Sequence, residues 1–101
     1  MNIKFLAAAR EEFLAAVEFY EQQEAGLGAR LVDSVEKTIE TLRQGPHAGV
    51  TYSHGTQRLV ITHFPFSIVY ILEEKHVVIV AVVHQRRKPG YWTDRLESPE
   101  G

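Results

Sequence analysis

A chain of 101 residues is long enough for one hydrophobic core, burying roughly 60 to 70% of the surface its unfolded form exposes, and short for two. Its composition, 45% hydrophobic and 24% charged with 7 Gly and 4 Pro, excludes a fibrous or disordered chain, and the lack of cysteine excludes disulfides and thiolate metal sites. A formal net charge of -2 argues against a protein that simply coats nucleic acid, but residues 1–55 carry five Lys/Arg against eight Asp/Glu while residues 56–96 carry six against three. Any anion-binding surface therefore belongs to the second half.

The opening "NIKFL" (Asn2 to Leu6) reads as a short first strand. Lys4 interrupts it and Arg10, Glu11 and Glu12 follow, so no signal-peptide core forms, and no window reaches the roughly 18 apolar residues of a membrane span. The expected location is the cytoplasm. From Ala8 to Glu24 the apolar residues Phe13, Ala16, Val17 and Tyr20 recur at helical spacing, with Glu11, Glu12, Glu18 and Glu21 mostly off that stripe. "AGLG" (Ala25 to Gly28) breaks this helix. A second stripe, Leu27, Leu31, Val35, Ile39 and Leu42, predicts another helix that carries an Asp33–Lys37 pair on its outer side and stops at Gly45-Pro46. The two make an αα-hairpin whose apolar faces need a third layer.

"HAGVTYSHG" (His47 to Gly55) reads as an irregular loop or edge strand. The third layer comes from "QRLVITHF" (57–64), "FSIVYIL" (66–72) and "HVVIVAVVH" (76–84), three β-rich runs joined by short turns and so an antiparallel meander. The last run is apolar at nearly every position, as in a central strand. Residues 1–96 are thus expected to form a single α+β domain, with "ESPEG" (97–101) a disordered tail.

Phosphate loops, nucleophile elbows and H-E-x-x-H are absent, and the five histidines at 47, 54, 63, 76 and 84 lack the helical pairing that often builds a metal site, so neither metal nor cofactor is expected. What stands out is "HQRRKPGYW" (His84 to Trp92), a cation run at the end of the core strand. Arg58 opens the first meander strand and Ser67 lies early in the second, so the meander can bring Arg58, Ser67 and His84 to Arg87 together at one end of the sheet. Arginine suits bidentate contacts to carboxylate or phosphate, and Tyr91 or Trp92 can stack on a base or pack as a C-terminal clasp. Arg58 also reads as an ion-paired edge residue, and His63 before Phe64-Pro65 as a turn residue.

In combination, the helical hairpin "AAREEFLAAVEFYEQQEAGLGARLVDSVEKTIETLRQGPHAG", "FPFSIVY", the acidic turn, the I-x-V-x-H strand and R-x-P-x-Y-W-x-x-R resemble a toxin of the RelE/ParE superfamily of type II toxin-antitoxin systems, over about residues 3–96. The resemblance implies a compact toxin neutralised by a cognate antitoxin, and it admits two modes of action. RelE-like members cleave mRNA on the ribosome without metal; by similarity Arg58 and Arg86 would then belong to the site, with His84 placed to supply a proton-transfer group near neutral pH. ParE-like members are associated with poisoning DNA gyrase and are not nucleases. This chain has Ser67 where RelE-like nucleases carry arginine in "Y-R-hydrophobic-x-Y", and Val60 where a lysine is expected two residues after Arg58. Loss of two cations weakens a site that must stabilise phosphorane charge, and the net charge of -2 supplies no field for docking to rRNA. The ParE-like arm is preferred, with Arg58, Arg86, Arg87, Tyr91 and Trp92 as the expected target-binding residues.

Overall fold

The computed structural model describes residues 1–97. Its elements run β1 (Asn2–Phe5), α1 (Ala7–Gln23), α2 (Leu27–Gln44), β2 (Val50–Thr51), one 3-10 turn (Ser53–Gly55), β3 (Gln57–Val60), β4 (Phe66–Leu72), β5 (His76–His84) and α3 (Asp94–Glu97). The α+β class, the N-terminal strand and the helical hairpin are those expected from the periodicities.

The hairpin turns tightly because glycine allows it. Gly26 takes a φ of 90°, and the Glu21 carboxylate folds back to accept the N–H groups of Gly26 and Gly28 at 3.0–3.1 Å, capping α2 with a side chain from α1. A Cβ on Gly28 would stand 2.8 Å from the Val17 carbonyl oxygen, so the two helices start this close only over a glycine. Leu31, Val35 and Leu42 of α2 and Ala9 and Ala16 of α1 are buried, and Asp33 and Lys37 pair at 3.5 Å on the exposed side.

The sheet has five strands in the order β1-β5-β4-β3-β2. β3, β4 and β5 form the expected antiparallel meander, with a register shift between Val69 and Tyr70. β1 lies parallel to β5 from Asn2↔His76 to Phe5↔Ile79, and β2 adds two residues along β3. β5 is therefore flanked on both edges, and Val77 to Val83 are all buried, which accounts for its unbroken apolar sequence. Tyr70, fully buried, ties the loop after α2 to the sheet: its hydroxyl accepts the Gly49 N–H and shares its proton between the Pro46 carbonyl and Gln57 Oε1, all at 3.0 Å. Burial is the main cause that raises its pKa.

Three expectations change. The first meander strand ends at Val60 rather than Phe64, because His63 takes a φ of 71° and closes a turn, although Ile61 N–H still reaches the Phe66 carbonyl at 2.9 Å. The short helix α3 had no periodic signal in four residues. Glu97, expected in a disordered tail, belongs to α3, and the other tail residues lie outside the described residues.

Candidate functional site

Side chains on one face of a sheet follow the pairing register. Arg58 stands opposite Val69, and Val60 opposite Ser67, which in turn stands opposite Val83, so these residues share one face. At the end of that face a narrow cleft of about 10 Å³, room for one water-sized group, is lined by Tyr52, Arg58, Ser67, His84, Gln85 and Arg87. The fold thus brings Arg58, Ser67, His84 and Arg87 together. The Arg58 guanidinium lies 4.7 Å above the Tyr52 ring, and its Nε is buried with no hydrogen-bond partner among the described residues. Ser67 is 5% exposed, whereas Val60 is 59% exposed, so the two paired positions that might have added cations carry a small hydroxyl and an open apolar side chain.

His84 closes the cleft and is already engaged. Its Nδ1 accepts the Arg86 backbone N–H at 3.1 Å, and its ring meets Phe66 edge-on at 5.2 Å. A neutral imidazole held this way carries its proton on Nε2 and has no free lone pair for base catalysis. Arg86 is exposed and is not among the cleft's lining residues, whereas Arg87, whose N–H closes a turn onto the His84 carbonyl at 2.9 Å, is. Arg87 stacks 3.9 Å over Tyr91.

Tyr91 and Trp92 serve different ends. Trp92 is fully buried, 6.2 Å from the Tyr52 ring and edge-on to His54 at 5.8 Å, so it supports the face from beneath and presents no surface to a partner. Tyr91 is half-buried and donates to Glu12 Oε2 at 2.6 Å. Burial foremost, then the Glu12 hydrogen bond and charge, push its phenol well above the usual range.

Glu12 is the residue that sequence reasoning did not single out. β1 ends at Phe5 while β5 runs on to His84, leaving backbone groups of β5 without a strand neighbour. Glu12 Oε1 accepts the Val82 N–H at 3.1 Å, and Arg95 Nη1 donates to the Val80 carbonyl at 3.0 Å; the two side chains pair with each other at 2.8 and 3.2 Å. An ion pair replaces the missing strand. Burial acts to lower the Arg95 pKa, but the Glu12 hydrogen bonds and charge outweigh it and leave it raised. Glu12 and Arg95 lie 83 positions apart, and no local spacing announces the pair.

A model of the family described as ParE toxin of type II toxin-antitoxin system, parDE, matches residues 3–89. This chain belongs to the ParE toxin family. A solved structure of the chromosomal ParDE TA system from P. aeruginosa superposes with a TM-score of 0.71 at 19% identity, covering 83% of this chain and 95% of that one, a likeness of fold. No curated protein matches this chain.

This ParE-family toxin has a second concavity beside the hairpin. Between β1 and α2 a cleft of about 370 Å³ has Phe5, Phe13, Val35 and Ile39 as its floor and Glu36 and Arg43 on its rim, and Leu14, 56% exposed, continues the apolar surface along α1. Among the described residues no three His, Asp or Glu side chains converge as a metal site, and no helix is long and apolar enough to cross a membrane.

Proposed function

We propose that this toxin arrests growth by binding a protein target, DNA gyrase being the expected one, with no bond-breaking chemistry of its own, and that a cognate antitoxin holds it inactive. The observation that carries this reading is the composition of the sheet-end cleft. Cleavage of RNA through the 2'-hydroxyl needs a base with a free lone pair and several cations on the developing phosphorane. Here His84 Nδ1 is already an acceptor for Arg86, and the face between Arg58 and Arg87 is filled by Ser67, Val60, Val69 and Val83. Such a face suits recognition better than catalysis. Arg58, Arg87, Arg86 on the exposed turn and the stacked Tyr91 form the binding surface, and the apolar cleft at Phe5, Phe13 and Ile39 receives an amphipathic antitoxin segment.

Inducing the toxin without antitoxin and mapping new mRNA 5' ends tests the mode of action. Growth arrest without new cuts, together with inhibition of purified gyrase supercoiling, is the expected result. Codon-phased cuts on ribosome-bound mRNA that vanish in Arg58→Ala or His84→Ala would instead establish the endonuclease.

A further inference from the structure

Buried donors without acceptors are uncommon in folded proteins, and here they gather in one place. Ser53 Oγ, Arg58 Nε and Trp92 Nε1 are buried and have no hydrogen-bond partner among the described residues. All three surround Tyr52: Ser53 is its chain neighbour, the Arg58 guanidinium lies 4.7 Å over its ring, and the Trp92 ring is 6.2 Å away. The lining of the Arg58 cleft carries no carboxylate among the described residues. Among the described residues Lys37, Arg43 and Arg95 each have a carboxylate partner within salt-bridge distance, but Arg58 and Arg87 have none, and no Asp or Glu lines their cleft. Two guanidiniums, one of them half sunk in protein, line this cleft, and Arg87, stacked on Tyr91, also borders Glu12 on its other side.

We propose that this cleft takes the carboxylate of an acidic segment of the protein target, held between the guanidinium groups of Arg58 and Arg87. The proposal rests on the reading of this face as a protein-binding surface and adds the chemistry it recognises. The shape selects the ligand. The cleft has only about 10 Å³ of free space, so a ligand enters it with a small terminal group. A flat carboxylate on a flexible side chain presents such a group and matches the planar fork of a guanidinium. A phosphodiester brings a tetrahedral centre with ester arms on two sides, more bulk than a cleft of about 10 Å³ takes. Ser67, buried in the same lining, offers its hydroxyl as a further donor.

The test follows the Nε–H resonance of Arg58 in the full-length 15N-labelled protein at low salt, assigned by its absence in Arg58→Lys. Hexaglutamate is titrated as the probe, with inorganic phosphate and a hexauridylate as competitors. The expected result is a shift of the Arg58 resonance and slower exchange with water as hexaglutamate binds. Arg58→Lys keeps the charge but loses the fork, and is expected to weaken binding at least tenfold. Arg87→Ala, at an exposed position, is expected to weaken it at least threefold without altering the circular dichroism spectrum. Tighter binding of hexauridylate or phosphate overturns the carboxylate assignment, and an unmoved resonance with all three probes shows that the donors are merely hydrated. Growth arrest by Arg58→Lys is measured in parallel. Arrest that persists when hexaglutamate binding is lost sinks the functional reading and leaves the carboxylate site standing. Arrest lost while hexaglutamate never bound sinks the site and leaves the reading.

Discussion

Glu12 offers the sharpest test of how this fold holds its C-terminal segment. Its carboxylate receives the Val82 N–H, the Tyr91 hydroxyl and two Arg95 nitrogens, between 2.6 and 3.2 Å, while the Glu12 and Arg95 side chains are only 21% and 19% exposed. Glu12→Ala leaves a backbone donor, a phenol and a guanidinium without their acceptor. A deserted buried donor costs about 1–3 kcal/mol, and a deserted partner of a fully buried ion pair about 3–5 kcal/mol. Because about a fifth of each side chain still meets water, we expect a loss of about 2–4 kcal/mol, a fall in thermal midpoint of roughly 10–20 °C for a domain of this size. Glu12→Gln keeps an acceptor but loses the charge opposite Arg95, and should lose about half as much. Urea melts of Glu12→Ala, Arg95→Met and the double variant close a cycle, with an expected coupling of about 1–3 kcal/mol. A Glu12→Ala protein within about 0.5 kcal/mol of the parent would refute the idea that this pair stands in for a strand.

Three further outcomes follow from single contacts. The raised pKa of the Tyr91 phenol makes its contribution to stability fully present below the unfolded value of about 10 and lost as pH rises above it; Tyr91→Phe should flatten that alkaline limb in equilibrium melts, apart from the share of Tyr70. Gly28→Ala forces a Cβ toward the Val17 carbonyl and should cost about 1–3 kcal/mol in chemical denaturation, whereas Gly45→Ala, with 3.8 Å to its nearest atom, should cost under about 1 kcal/mol. Ser67→Arg, the cation that RelE-like sequences carry, must enter a 5% exposed position between Val60 and Val83; it should destabilise by about 2 kcal/mol or more in the same melts and produce no new mRNA ends on induction.

Much of the fold was legible because it rests on local periodicity. The stripe from Leu27 to Leu42, the Gly-containing break before it and the Gly45-Pro46 stop each act within a few residues, and they produce α2 wherever its apolar face is covered. The uninterrupted apolar run of β5 announced a strand flanked on both sides, but not that β1 would be the parallel neighbour, since pairing across the whole chain leaves no mark on either strand alone. The ordering of residues 94–97 was hidden for the same reason: what holds them is Arg95 reaching Glu12 on α1.

The site divides along the same line. Residue types and their places along the strands pointed to Arg58, Ser67 and the cations after His84, because a meander returns its strand ends to one edge. Only the tertiary structure decided among them: the turn from His84 to Arg87 sets Arg87 in the cleft's lining and not Arg86, Trp92 becomes a buried support while Tyr91 stays half-open, and the Arg86 N–H occupies the lone pair of His84. Sequence determines which chemistry is available, through side-chain identity and short-range geometry. Which of those groups share a space, and which are already satisfied, depends on contacts between residues far apart in the chain, and these exist only once the sheet has closed.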